Sequence, residues 1–364
     1  ISTINSAISL SKYKKNNDVR IINACGEWDQ YRELLNKNSI CLVDLNFKYF
    51  KVLPKRGFIG SRFSYIIIYL LSFFPLYFLL KKEQPKKIVL HLITSLPLTL
   101  LYLFKFKSDF ILRISGYPKL NIIRKFFWNS VSKKLKFVTC PTLDLKRDLE
   151  NINLFDSSNL HYLPDAIIEV KNLKKKTKLP IDFNLSKNKK VVLSVGRLTK
   201  QKNFSYLIEE FSNFLKVNND FVMFILGEGE DKTKLCKLIN DKGLKEKIFL
   251  LGFKKDVYSF MRNSEIFILS SLWEEVGFVM IEAAFCNSYI ISSDCPNGPK
   301  EFLNNGKNGI LFKNNSKKAL LKSLINYSSL DKEKIFADKV ILKKKTSKYT
   351  MFKHFLVFDK LLNL

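Results

Sequence analysis

Two carboxylates, Glu274 and Glu282, with seven residues between them, and two cations, Arg197 and Lys202, are the side chains whose types and spacing could do chemistry in this sequence. Before Glu274 lies the apolar run Ile266–Leu269, of strand type. After Gly277 the apolar residues Phe278, Ile281, Ala284 and Phe285 recur at helical spacing. The stretch therefore reads as strand, loop and helix, with Glu274 in the loop and Glu282 in the helix. The open amides of the first helical turn, near Val276, Gly277 and Phe278, then point where an anion can sit. Two carboxylates beside such a helix end suit a ligand that carries both hydroxyls and phosphates. A surface loop followed by a core helix would give the same spacing, so the rest of the chain has to decide.

Arg197 and Lys202 belong to a second unit of the same kind. The strand Lys190–Val195 runs into Gly196-Arg197-Leu198-Thr199-Lys200-Gln201-Lys202-Asn203, and a helix follows over Phe204–Val217. A strand, a basic loop and a helix start make an anion site. There Arg197 acts as a planar fork and Lys202 as a point charge on a diphosphate. The bland alternative is a solvated basic loop. Further strands follow at Phe221–Leu226 with Gly227-Glu228-Gly229, at Ile248–Leu251 with Gly252-Phe253, and at Tyr289–Ser292 with Asp294 and Gly298-Pro299.

Stepping toward the N-terminus, strand-length apolar runs occur at Val19–Asn23, Ile40–Leu45, Ile88–Ile93, Phe110–Ile114 and Phe137–Cys140. Helical segments at Leu96–Phe104, Ile122–Leu135 and Leu143–Asn151 serve as crossovers of a parallel sheet. Functional groups in such sheets sit at the carboxyl ends of strands, which singles out His91 and Arg113. A hydrogen-bonded core histidine is the alternative for His91. Arg113 is costly to bury without an anion, so either a structural ion pair or a ligand phosphate is expected. Leu163-Pro164-Asp165 followed by Lys171–Lys178 reads as an interdomain connection. The expected domains are residues 1–180, residues 181–345 and a last helical segment, 346–364.

The chain's 364 residues favour two domains, and its 46% apolar content favours a folded protein. Six cysteines form no C-x-x-C pair and three histidines no ligand cluster, so a reduced, cytoplasmic chain without metal or other cofactor is expected. A formal charge of +29 fits phosphate-bearing ligands, an anionic membrane surface or nucleic acid. For nucleic acid there is neither zinc-finger spacing nor an RNA-binding aromatic motif. The charge is uneven: residues 1–180 hold 31 Lys+Arg against 13 Asp+Glu, and residues 181–364 hold 31 against 20. The same first half holds the apolar segment Phe63–Leu80, flanked by Arg62 and Lys81-Lys82. Its length approaches a membrane span, but Ser64, Ser72 and Pro75 interrupt it. A helix part in the core and part against anionic lipid fits better than a crossing.

Taken in order, Val195-Gly196-Arg197, Lys202, Gly227-Glu228-Gly229, Leu251-Gly252-Phe253, Glu274 with Glu282, and Gly298-Pro299 resemble glycosyltransferase family 4 over about residues 186–328. The resemblance implies an α/β, GT-B fold: two facing Rossmann-like domains with parallel sheets, and a last helix, here Tyr349–Leu362, that crosses back to the first. It implies a retaining transfer of a hexosyl or N-acetylhexosaminyl group from a nucleotide-sugar, UDP-linked as is commonest in the family. Arg197 and Lys202 would clamp the diphosphate in place of a metal, with Gly196 and Gly227 in the loops around them. Glu274 would hold the donor sugar beside the amides of Gly277 and Phe278, Glu282 the ribose hydroxyls, and the Phe253 backbone the base. Joined to the basic, apolar first half, it leads to the expectation of a lipid-linked acceptor in bacterial surface polysaccharide synthesis, on the inner face of the cell membrane. A nucleotide-sugar 2-epimerase of the same fold and a non-catalytic basic membrane-surface protein are the competing readings.

This sequence departs from the family pattern in three places. Glu275-Val276 stands where Gly-Phe is usual, and Glu275 lacks glycine's freedom at positive φ. Asn287-Ser288-Tyr289 replaces a Gly-x-Pro, where Asn can still turn left-handed. Ser115-Gly116 replaces a His-Gly, so that histidine's role is not carried over and His91 or Arg113 would compensate. The family's opening strand and glycine-rich loop also have no counterpart before Ile4, Ile8 and Leu10, and a start inside the first helix is the expectation.

Overall fold

Strands covered on both faces read as unbroken apolar runs, and the runs above are strands of parallel sheets. The computed structural model describes residues 1–14, 16–45, 53, 58–91, 94–118, 120–170 and 189–364. The Lys171–Lys178 connection lies outside the described residues. The chain divides into two units, Ile1–Ala166 with Met351–Leu364, and Ile167–Thr350. The divisions fall after residues 166 and 350, whereas the sequence reading put them at 180 and 345.

In the first unit β1 (Arg20–Asn23) pairs with β2 (Cys41–Asp44). A separate four-stranded parallel sheet has the order β3 (Lys87–Leu90), β4 (Asp109–Arg113), β5 (Phe137–Cys140), β6 (Leu160–Tyr162). The helices are α1 (Ser2–Tyr13), α2 (Arg32–Lys37), α3 (Phe58–Glu83), α4 (Ser95–Leu103), α5 (Ile122–Ser132) and α6 (Leu143–Asn151). Leu76 and Leu80 of α3 are buried in one core with Leu90, Phe110 and Leu112 of the sheet, while Phe63, Ile66, Leu70, Leu71, Phe74 and Phe78 stay exposed. By length and composition α3 could cross a membrane, but one of its flanks packs against the protein's own core. A hydrogen bond from Tyr69 to Thr99 (2.8 Å) joins α3 to α4, and the Tyr102 and Phe127 rings, 5.9 Å apart, join α4 to α5.

The second unit contains β7 (Lys190–Val195), α7 (Phe204–Leu215), β8 (Phe221–Leu226), α8 (Lys232–Asp241), β9 (Ile248–Leu250), α9 (Val257–Arg262), β10 (Ile266–Leu269), α10 (Phe278–Phe285), β11 (Tyr289–Ser293), α11 (Pro299–Phe302), β12 (Ile310–Phe312), α12 (Ala319–Ser328) and α13 (Lys332–Lys345). Its six-stranded sheet is parallel throughout, in the order β12-β11-β10-β7-β8-β9. Successive side chains of a strand point to opposite faces. Accordingly Leu193, Val222, Phe224, Phe267 and Ile290 fill one core, and Val192, Met223, Ile225, Ile268 and Ile291 fill the other. The order reverses at β7 and β10. In a doubly wound sheet, ligands gather outside the carboxyl ends of the strands at that point.

The last helix, α14 (Met351–Leu362), is part of the first unit. Its His354 lies between Ser6 of α1 (2.9 Å) and the Pro164 carbonyl (2.6 Å), and Ser9 donates to the Met351 carbonyl (2.9 Å). These bonds satisfy polar groups inside an otherwise apolar helix pair.

Phe224→Ala should lower unfolding stability by about 3–5 kcal/mol, since it removes a fully buried ring from the core packed on one face of the sheet. Phe253→Ala, at a side chain 76% exposed, should stay within about 0.5 kcal/mol of the parent. Paired denaturant titrations compare the two.

Candidate functional site

The loop leaving β7 is held by its neighbours. Gly196 donates to the Leu226 carbonyl (2.9 Å), Gly227 to that of Gly252 (2.9 Å), and Leu198 to that of Glu228 (2.9 Å), so the exits of β7, β8 and β9 are laced together. Gly227 has φ +142°, and a Cβ there would run into the Gly196 carbonyl oxygen, so no other residue fits. A Cβ on Gly196 would press on the stem of Lys202, at 3.1 Å from Cδ and Cε. Asn203 (φ 53°) then turns left-handed into α7.

That geometry aims Lys202 across the strand reversal at the loop leaving β10. Its Nζ lies 2.5 Å from Glu274 Oε1, and the Ser271 hydroxyl donates to the same oxygen (2.5 Å). Glu274 is 9% exposed. The two loops are also joined by Ser270 donating to the Lys202 carbonyl (2.7 Å), Leu272 to that of Gln201 (2.8 Å), and Gln201 to that of Trp273 (2.9 Å). The Arg197 side chain is exposed and forms no hydrogen bond or ion pair with any described residue. One predicted cation is thus already engaged with a predicted carboxylate, and the other is open to an anion.

The left-handed turn that starts α10 falls on Gly277 (φ 81°), and Glu275 keeps an ordinary negative φ. The missing glycine at position 275 therefore costs the loop no strain. Asn287 turns left-handed (φ 74°), as its residue type allows. Val276 is buried, and Gly298 (φ 88°) packs so close to its carbonyl that a Cβ would clash. Glu282 projects from the otherwise apolar α10 and accepts from the Tyr258 hydroxyl (2.8 Å). Burial pushes its pKa up to about 7, and the Tyr258 hydrogen bond opposes this. Tyr258 belongs to no motif; a contact between two helices carries no spacing signal. Phe253 stands exposed after Gly252 (φ 69°).

In the first unit Arg113 is buried at the end of β4, where it donates to Asp165 (2.5 Å) and to the Leu163 carbonyl (2.8 Å). The structural ion pair is therefore the alternative that the fold adopts, and Asp165, read from sequence as part of a connection, is a buried partner. His91 follows β3 near this pair. Desolvation and then the Arg113 charge push its pKa down to about 3, so its ring is neutral at neutral pH.

Comparison with known proteins bears on the family and the fold. Residues 175–340 match the family model for glycosyl transferases group 1. The chain is 31% identical over 242 residues to an uncharacterized glycosyltransferase of Methanocaldococcus jannaschii, covering 62% of this chain and 58% of that protein. It is 28% identical over 229 residues to the N-acetylgalactosamine-N,N'-diacetylbacillosaminyl-diphospho-undecaprenol 4-alpha-N-acetylgalactosaminyltransferase of Campylobacter jejuni, covering 61% of each. These matches thus span less than two thirds of either relative. The crystal structure of Anabaena HepE in complex with UDP and glucose is similar at a TM-score of 0.72 and 12% identity, over 100% of this chain and 95% of that one. At this identity the likeness is one of fold, and the fold is GT-B.

The Glu282 carboxyl gives a pH signature. Its folded pKa of about 7 lies above the ordinary 4.5, so between these values the folded state binds more protons than the unfolded state. Stability should therefore fall as pH rises through that window, and Glu282→Gln should flatten the fall. Unfolding midpoints at pH 5 and pH 8 for both proteins test this.

Proposed function

We propose that this chain, whose second unit matches the family model for glycosyl transferases group 1, is a retaining glycosyltransferase that moves a sugar from a UDP-linked donor to a lipid-linked glycan. The observation that carries the proposal is the Lys202–Glu274 pair, which joins the loops leaving β7 and β10 where the strand order reverses; Arg197 lies in the first of these loops and the start of α10 follows the second. As the bond from the anomeric carbon to the diphosphate breaks, its electron pair and negative charge move onto the departing UDP, while the acceptor oxygen bonds to that carbon from the same face and passes its proton to an oxygen of the departing diphosphate. Arg197, Lys202 and the α10 amides stabilise the departing charge, in the place a metal takes in other transferases. Glu274 holds hydroxyls of the donor sugar and Glu282 those of the ribose. Gly196 and Gly227 let the loop backbones close in, and the Phe253 backbone meets the base. No side chain is assigned as a nucleophile. His91, neutral, is left to hydrogen-bond the acceptor.

The UDP donor is supported by the HepE complex, and the lipid-linked acceptor by the name of the Campylobacter relative. The group transferred is a hexosyl or N-acetylhexosaminyl unit. We place the enzyme in bacterial surface polysaccharide synthesis, peripheral on the inner face of the membrane. What supports the membrane is the set of exposed apolar side chains on α3, α4 and α5: Ile66, Leu70, Phe74 and Phe78 of α3, Leu103 of α4, and Ile122, Ile123 and Phe126 of α5. From Phe58 to Lys136 the sequence has 14 Lys/Arg and two Asp/Glu. Apolar side chains among cations suit anionic lipid.

Arg197→Ala and Lys202→Ala should each lower kcat/KM by about 100- to 1,000-fold, the scale for one preorganised charge-stabilising donor. Transfer should persist with a chelator present. Product mass after incubation with a panel of UDP-sugars reports both; near-normal turnover by the two variants would refute the clamp.

Binding to anionic vesicles should weaken with salt and on replacing Ile66, Leu70 and Phe74 by Ser. Equal affinity for neutral and anionic vesicles would refute the membrane reading while leaving transfer to a soluble acceptor analogue intact.

A further inference from the structure

Glu282 is the one acidic residue of α10; its neighbours there are Phe278, Val279, Met280, Ile281, Ala283, Ala284 and Phe285. A carboxylate among such residues needs a donor to remain charged. Here the donor is the Tyr258 hydroxyl, from the first turn of α9, a helix whose N-cap Asp256 accepts from the Ser259 amide (3.2 Å). Tyr258 also packs against the core that holds Met280 and Ile281, so its ring position is fixed. Only Oε1 of Glu282 is engaged; Oε2 accepts no hydrogen bond from a described residue. The contrast with Glu274 is chemical. Glu274 faces an ammonium that cancels its charge, whereas Tyr258 orients Glu282 with a neutral donor that brings no cancelling charge.

We infer that Tyr258 is a positioning residue for the nucleotide: by holding one oxygen of Glu282 it presents the other as a charged, fixed acceptor for the ribose hydroxyls. The inference rests on the proposed function, which sets the ribose at Glu282. Burial and the Glu282 charge both raise the Tyr258 pKa, so the hydroxyl stays a donor at any ordinary pH. Losing it would let the Glu282 pKa rise further, because this bond is what lowers it. The other groups nearby act on different atoms. Arg262 and Asp256 from α9, Lys343 from α13 and Glu282 itself bear on the Cys286 thiol, and Glu169 and Cys286 bear on Tyr258. β10 has no titratable residue, Tyr289 of β11 is bonded to Asp338, and the turn Thr346–Tyr349 carries Lys348, which faces Glu301.

Tyr258→Phe keeps the ring and removes only the hydroxyl. Two measurements decide. By carboxyl carbon NMR, with Glu282→Gln to assign the signal, the Glu282 pKa in the unliganded protein should rise in Tyr258→Phe; an unmoved pKa overturns the inference without any ligand. By calorimetry at pH 7, UDP affinity should drop about tenfold, as for loss of a hydrogen bond to a charged group. The drop should shrink at pH 9, where Glu282 is ionised in both proteins, and should be smaller for 2'-deoxy-UDP and 3'-deoxy-UDP. An equal loss for UDP and both deoxy analogues would mean a merely structural role and overturn the inference alone. If the parent protein fails to distinguish UDP from the deoxy analogues, the ribose assignment and the inference fall together.

Discussion

The reversal of strand order between β7 and β10 is the constraint on which the second unit depends. In a parallel sheet every strand leaves by the same edge, so all the exit loops crowd together there. Crossovers on opposite faces separate the β7 and β10 exits into a crevice. Side chains facing each other across it come from distant sequence, Lys202 and Glu274 being 72 residues apart. Backbone contacts this close require residues without side chains at the crossing points, which is why Gly227 meets the Gly196 carbonyl and Gly298 that of Val276. The packing of the loops and the placement of the charged groups are one problem with one solution.

Two carboxylates on neighbouring segments meet opposite treatment. Glu274, nearly buried, has an ammonium and a hydroxyl on one oxygen, and removing one member of a buried pair costs about 3–5 kcal/mol. Glu282 has a neutral donor and a raised pKa. On the proposed reading this difference has a use. A diphosphate arriving at Lys202 competes with Glu274 for the ammonium, and Glu274, once released, can take hydroxyls of the attached sugar. Phosphate and sugar recognition are then coupled through one ion pair, while Glu282 acts independently of it.

Much of this was legible in the sequence because parallel strands are apolar on both faces and their exit loops are not. Val191–Val195, Phe221–Leu226 and Ile266–Leu269 announce themselves as runs, and Arg197, Lys202 and Glu274 stand next to them. β6 and β12 were missed. Each is an outer strand of three residues, too short for a run to stand out. Arg113 declared its need for an anion, but Asp165, 52 residues on, stood in a stretch that looked like a linker. Tyr258 gave no sign at all, since its partner is fixed by how α9 lies on α10. What a sequence encodes locally can be read locally; a contact set by tertiary packing requires the packing.

Perturbed ionisation marks functional sites and structural networks alike, so the shift itself does not separate them. Unused bonding capacity does. In the first unit Arg113 is bonded to Asp165 and Leu163, and His354, its pKa pushed down to about 4 chiefly by burial, bridges Ser6 and Pro164. Those groups are used up by the fold, holding α1 and α14 to the sheet. His91 differs from them, since it has no hydrogen bond to a described residue. With a pKa of about 3 it is neutral near pH 7, so any part it takes there is as a neutral donor and acceptor. In the second unit the spare capacity is larger: the Arg197 fork, the second oxygen of Glu282 and the Phe278 and Val279 amides at the start of α10. On the proposed reading, that concentration of open hydrogen-bonding groups near one strand reversal, more than any shifted pKa, is what a charged ligand would use.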